Sequence, residues 1–220
     1  MQLKALALIC GLIGCTGQLW AQQKQKNIAV IPPKTLLLRV NPLGLLDFND
    51  NNLSIGAEYR FKPAWSVSAD IAYIFDNYTE DLKRTRGFIF RPAVRKYYGR
   101  QLNSFFEAEL HYKYVSYTLE GWVNRNVVNG TPSFEQYTRY HLIKKVAGLQ
   151  IKTGAQERLV KDRLWIEIYA GVGIRAKWQD TDLPPNSEVQ VLRSFGSDLN
   201  KKSLIVPAIP SGIRFLFRLP

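Results

Sequence analysis

His111 stands four residues after Glu107 and two after Glu109, in the run SFFEAELHYKY. An imidazole oriented by a carboxylate is the base of a nucleophilic hydrolase, and paired carboxylates are the equipment of glycoside hydrolysis. Either chemistry needs further partners. No serine is placed convincingly beside His111, and the only other histidine, His141, opens a different segment beside loop residues. On a strand that faces arginines, Glu107 and Glu109 read as salt-bridge partners. Residues DFNDNNLSIGAE, 47 to 58, approach a calcium loop, with Asp47, Asn49, Asn51 and Glu58 at the first, third, fifth and twelfth places. Asn52 takes the glycine place, and the motif runs into a strand where a helix is needed, so it reads as a polar hairpin loop. Both cysteines, Cys10 and Cys15, lie in the first 21 residues, which leaves no thiolate for a metal site or a disulfide in the rest. No catalytic residue, metal or cofactor is assigned, and the chain is read as non-enzymatic.

The elements that carry these residues are strands. In WSVSADIAYIF, residues 65 to 75, every odd position is apolar and most even positions are polar or small. Successive side chains leave a pleated strand on opposite sides, so this segment has one greasy face. The pattern recurs, and with the turn signals it predicts eight strands near 35–43, 52–61, 65–75, 87–97, 104–117, 141–154, 163–177 and 204–219. The connections alternate in kind. Those at 62–64, 98–103 and 155–162 are short, and those at 44–51, 76–86, 118–140 and 178–203 are mostly longer, the asymmetry of an outer-membrane barrel.

By parity, one face of this strand set collects Arg39, Arg60, Arg91, Arg95, Lys113, Arg175, Arg214 and Arg218 against Glu58, Asp70, Glu107, Glu109 and Glu167. The other face is aliphatic and aromatic. A soluble sandwich or lipocalin buries the apolar face, whereas a membrane barrel turns it outward. Strands of about ten residues exceed the globular norm of about five or six and suit a tilted crossing of the hydrocarbon layer. Aromatic residues gather near strand ends: Trp65, Tyr97, Tyr98, Phe105, Phe215 and Phe217 toward the short turns, and Tyr73, Phe75, Tyr78, Tyr117, Trp122, Tyr140 and Trp178 toward the long loops. Two such belts are what amphipathic rings form at two lipid interfaces.

The first 21 residues read as a secretory signal peptide, with Lys4, an apolar stretch from Ala5 to Ile13 and a small-residue cut after Ala21. Leu12-Ile13-Gly14-Cys15 keeps a lipoprotein signal open as the alternative. Residues 22–220 then form one barrel domain. A formal net charge of +12 invites an anionic partner, but an exported chain does not suit nucleic acid, and anionic lipid headgroups fit better. Lys83, Arg84, Arg86, Arg139, Lys201 and Lys202, in or beside the long loops, could grip lipopolysaccharide phosphates. Asn77-Tyr78-Thr79 and Asn52-Leu53-Ser54 match glycosylation acceptors and are given no weight in a bacterial setting.

On these residues the chain resembles small eight-stranded outer-membrane barrels of the OmpX or OmpA-transmembrane type. The stretches NLSIGAEYRFKPAWSVSADIAYIF, FRPAVRKYY and LWIEIYAGVGIR are similar to a family of exported, uncharacterised barrel proteins of Gram-negative bacteria. The resemblance implies an all-β, eight-stranded antiparallel up-and-down transmembrane β-barrel in the outer membrane. It also implies insertion by the barrel assembly machinery, which reads a terminal aromatic. Here the chain ends Phe217-Arg218-Leu219-Pro220, with Phe217 close to that position. The expected work is structural or adhesive: a monomer with a salt-bridged, plugged interior that holds loops toward lipopolysaccharide or a partner protein. A lipid A-modifying barrel enzyme and a soluble periplasmic lipocalin-like binder are the rival readings.

Overall fold

Alternation dictates the architecture, because each strand has one face that water tolerates and one that it does not. The computed structural model describes residues 31–46, 50–76, 82–160, 163–189 and 203–219. The signal-peptide reading of 1–21, Asp47 and Asn49, Tyr78 with its glycosylation triplet, and Lys201 and Lys202 all lie outside the described residues.

The described chain is all-β and antiparallel, with no α-helix. Its strands are β1 (Thr35–Asn41), β2 (Asn51–Lys62), β3 (Trp65–Asp76), β4 (Leu82–Tyr98), β5 (Ser104–Arg125), β6 (Phe134–Val160), β7 (Leu164–Thr181), β8 (Glu188–Val189), β9 (Ser203–Ala208) and β10 (Ser211–Arg218). Neighbours in sequence pair from β1 through β7, β9 and β10 both pair with β7, and β10 pairs with β1 to close a ring. The ring has eight staves, since β9 and β10 lie along one line of β7, and β8 adds only to the edge of β5. The predicted single last strand is thus interrupted at Ile209–Pro210, where proline can donate no ladder hydrogen bond.

The ring is staggered. Arg39 faces Gly56, which faces Asp70, which faces Arg91; on the far side His111 faces Gly148, which faces Arg175, which faces Val206. Arg91 and His111 stand opposite each other between the pairs Phe90–Tyr112 and Ala93–Glu109. On its other edge Arg39 pairs with Leu216, so the row returns from 216 to 206, a stagger of ten residues. Stagger and strand number together set a tilt of about 40°. A 12-residue strand such as β2 or β3 then climbs about 30 Å.

Wall height differs around the ring. β1 has 7 residues, whereas β5 has 22 and β6 has 27. The expected loop at 118–140 is therefore mostly strand, paired from Leu119–Tyr140 out to Arg125–Phe134, with a tip of 126–133 where Asn129 and Gly130 take positive φ. The base of this hairpin buries Leu119, Val123 and Tyr140 on its inner side, whereas from Asn124 to Arg139 most side chains meet water, so alternation gave little sign of the outer part. The 155–162 turn is likewise shorter than expected, because β6 continues to Val160. At that same end Gly99, at φ +86, turns β4 into β5.

Candidate functional site: the charged lumen

Inside the ring the polar parity set packs against itself. Ten charged groups are almost wholly buried there: Arg39, Arg60, Arg95, Lys152 and Arg214 against Glu58, Asp70, Glu107, Glu109 and Glu167. Arg95, Glu107 and Lys152 face one another in register across β4, β5 and β6, as Arg214 and Glu167 do across β10 and β7, and ring closure brings these rows together with the rest. Arg95 of β4 reaches Glu167 of β7 at 2.6 Å and Glu58 of β2 at 3.1 Å, and it also pairs with Glu107 of β5. Arg214 of β10 lies 3.0 Å from Glu167 and 3.2 Å from Glu107. Arg39 bridges Asp70 at 3.2 Å and Glu107 at 3.5 Å, while Lys152 pairs with Glu109 and lies 3.5 Å from Glu107. Glu107 is the hub, facing four cations.

Such burial is costly for any charge left alone, and tolerable when partners and hydrogen bonds are complete. Aromatic faces cover several of the arginines, while Arg39 Nε and Nη1, Arg60 Nε and Nη2 and Arg214 Nε make no hydrogen bond. The Arg60 guanidinium lies 3.7 Å from the Tyr97 ring, Arg95 3.9 Å from Phe105, and Arg214 4.0 Å from Tyr169. Arg60 also donates to the Ile31 carbonyl at 3.1 Å. Below the charges Ile31, Leu37, Trp165 and Leu216 form a small apolar floor.

Four of the aromatic-belt assignments need correction. Tyr97 and Tyr117 point into the ring: Tyr97 donates its hydroxyl to Glu58, and Tyr117 donates to Asp50 at 2.5 Å. Phe105 and Tyr140 are buried inside as well. The physical reason is parity. Tyr97 is two residues from Arg95, and Tyr117 is four from Lys113, so they share the inner face, which nearness to a strand end does not reveal. Trp65, Tyr73, Trp178 and Phe217 are exposed on the outer face, and Phe215 is half-buried there. Lys96 lies 5.6 Å from the Trp65 ring at the short-turn edge. Arg218 follows the inner parity but is exposed at the end of β10, its backbone N–H bonded to the Arg163 carbonyl at 3.0 Å.

Lys152, Gln150 and Gln156 were missed on β6, although they alternate with Leu149 and Ile151 in the run LQIKTGAQ. Asp50, which pairs with Lys113, gave no signal, because it lies before β2 in a loop. A second inner region escaped the parity list entirely. Ala72, Ile74, Ile89, Val115, Tyr117, Leu119, Val123, Tyr140, Leu142 and Val189 form an apolar cluster toward the long-loop end, with Leu183 against it.

Among the described residues no hydrogen bond joins His111 to a serine, a threonine or a carboxylate. Its two ring nitrogens are buried and make no hydrogen bond, and Glu107 and Glu109 are committed to arginine and lysine. His141 is exposed and shares a 3.2 Å hydrogen bond with the Thr118 hydroxyl. Glu58, twelfth in the calcium-like run, is turned inward onto Tyr97 and Arg95, and no group of three or more metal-ligating side chains gathers among the described residues.

Searches against protein-family models, curated proteins and solved structures found no match to this chain.

Proposed function

We propose that this chain is a non-enzymatic transmembrane β-barrel of the bacterial outer membrane, with the architecture of the small OmpX-type and OmpA-type barrels that its sequence resembles. One observation carries the reading. The apolar set faces out and the charged set faces in: Ile71 is 56% exposed and Ile168 49%, while Asp70 is 4%, Glu167 0% and Arg214 1% exposed. Water does not sustain a continuous exposed band of Leu, Ile, Val and Phe around a whole molecule. Acyl chains do, and a climb of about 30 Å matches the hydrocarbon thickness. The described residues hold no helix long and apolar enough to cross a membrane, so a crossing would be made by strands.

A lumen lined by the apolar set would have favoured a soluble lipocalin-like binder, and a nucleophile beside His111 would have favoured a lipid-modifying enzyme. The buried ion pairs support a plugged wall that acts as a scaffold. Its output is the tall β5–β6 hairpin, extended by β8, with Lys83, Arg84, Arg86 and Arg139 exposed at the same end to meet lipopolysaccharide phosphates or a partner. The test is cell fractionation with gel mobility before and after boiling. The expected result is recovery with outer-membrane vesicles and a mobility shift on heating; release into the periplasmic extract without a shift would overturn the reading.

A further inference from the structure

The two ends of the barrel carry the same number of basic residues and very different numbers of acidic ones. At the short-turn end, the segments 31–34, 62–64, 96–103, 156–163 and 218–219 hold 8 basic residues and 2 acidic ones, Glu157 and Asp162. At the long-loop end, the segments 42–51, 76–86, 118–141 and 178–203 hold 8 basic and 11 acidic residues. These totals include residues outside the described ones, and the sequence ahead of Ile31 contains no acidic residue to redress the balance. Lys34, Lys62, Lys96, Arg100, Arg163 and Arg218 are all exposed, and among the described residues none of them forms an ion pair. A field of one sign over one end of a molecule attracts a surface of the other sign.

We propose that the short-turn rim binds anionic phospholipid headgroups of the leaflet that it faces, with Lys62, Lys96 and Trp65 as the central contact. The proposal rests on the membrane reading above.

Local geometry selects a lipid over a soluble acid. Lys62, Trp65, Lys96, Phe106 and Thr153 stand opposite one another in one cross-strand row from β2 to β6. Trp65 and Lys96 belong to the outer parity, with the exposed valines Val67 and Val94 next on the same face of their strands. An indole and an ammonium are thus presented where the apolar band ends, the level at which amphipathic rings meet headgroups. Lys96 Nζ lies 5.6 Å from the Trp65 ring, an attraction that holds it along the outer wall. Lys96 alternates with Val94 and Tyr98, so its stem covers apolar surface while its ammonium reaches the phosphate level. Tyr98 stacks on Phe106 at 4.9 Å, and its hydroxyl shares a 3.3 Å hydrogen bond with the Thr153 hydroxyl. A phospholipid answers the whole arrangement, its phosphate between the two lysines and its acyl chains along Val67 and Val94. A soluble polyanion would use the charges and leave the indole and the valines uncovered.

The barrel mouth repeats the sign. Arg163 and Arg218 are the next opposed pair beyond Leu164–Phe217, joined by the Arg218 N–H donating to the Arg163 carbonyl at 3.0 Å. Like charges directly opposite each other destabilise a sheet. The neighbouring turn at 161–162 contributes Lys161 and Asp162, one charge of each sign, and an anionic membrane surface offsets the repulsion that is left. A basic short-turn end and a mildly acidic long-loop end give the preference a direction across the bilayer.

The test uses the mature chain folded in phosphatidylcholine bilayers doped with spin-labelled phosphatidylglycerol or spin-labelled phosphatidylcholine, and reads the fraction of each probe immobilised on the barrel by electron paramagnetic resonance. Expected is a relative association at least threefold in favour of phosphatidylglycerol at low salt, weakening as salt is added because exposed charges are screened. The double variant Lys62→Gln/Lys96→Gln should cut that preference at least by half, and Lys83→Gln at the long-loop end, where Glu120 lies 4.0 Å away, should leave it unchanged. Both short-turn lysines are exposed, so each variant should keep its mobility shift on boiling, which certifies the fold. No preference, or one that the double variant does not reduce at least by half, would overturn the proposal and leave the rim to an acidic macromolecule outside the bilayer. A chain that inserts and shifts on boiling without the preference fails this proposal alone, whereas a chain that stays out of bilayers of either composition fails the membrane reading itself.

Discussion

The two halves of the lumen solve the same packing problem with opposite chemistry. In the lower half, polar side chains from β1, β2, β3, β4, β5, β6, β7 and β10 neutralise one another around Glu107. In the upper half, β3 to β6 contribute aliphatic and aromatic side chains that pack as an ordinary core, capped by Val189, while Arg91 of β4, Lys113 of β5 and Arg175 and Lys177 of β7 lie between this core and the mesh. The lower half is a mesh in which Glu107, Arg95 and Arg214 each hold several others across the ring. The upper half stabilises chiefly the hairpin that rises above it. Ion pairs therefore tie the wall together, and apolar packing builds the part that projects from it.

The sharpest way to break this contrast is at the hub. Glu107→Gln keeps the shape and removes the charge that faces Arg39, Arg95, Lys152 and Arg214. Breaking a buried pair by neutralising one partner costs about 3–5 kcal/mol. The mobility-shift midpoint in urea should fall accordingly for the whole barrel. A loss below about 1 kcal/mol would mean that water already enters the lower lumen and screens its charges.

The next effect is smaller and local. Leu119 is 2% exposed in the upper cluster, and Leu119→Ala there removes contacts with the inner faces of β4 and β6. Large-to-small core changes cost about 2–4 kcal/mol. If the halves are separate, that loss appears as faster proteolysis within 126–133, with a much smaller change in the barrel midpoint. Equal falls in both readouts would show that the lumen unfolds as one unit.

The same contrast marks how far the sequence could be read. Strand faces were legible wherever one side meets lipid or a core, because period-two alternation is enforced there: Trp65 to Phe75 and Leu164 to Ile174 sort by face as expected. Glu107 faces Arg95 across the β4–β5 ladder, but the pairing across the lumen was not legible, because whether Glu58 and Glu167 also reach Arg95 depends on the ten-residue stagger of the closed ring, a property of all staves together. The upper cluster was half visible. On β5 the inner parity runs Glu107, Glu109, His111, Lys113 and then Val115, Tyr117, Leu119, a switch from charge to grease written in one strand. It went unread because tyrosines near a strand end also suit a lipid interface. The β5–β6 extension left the least trace, since FEQYTRY carries polar groups on both faces and meets water on both.

The smallest effect tests where the mesh ends. Arg139 and Glu120 face each other on the projecting hairpin, with Arg139 Nε donating to Glu120 at 2.7 Å and Lys83 at 4.0 Å from the same carboxylate. By distance this triad rivals the buried pairs. By environment it does not, because the Arg139 side chain is 67% exposed, so solvent and salt screen the attraction and ordering a long side chain offsets the gain. Arg139→Ala should cost at most about 0.2–1 kcal/mol at low salt. That corresponds to less than about a fivefold rise in hairpin proteolysis, fading as salt is added, with the barrel midpoint unmoved. A larger, salt-insensitive loss would place the pair in a shielded setting such as a lipopolysaccharide contact. The line between mesh and surface would then lie higher on the hairpin than burial alone puts it.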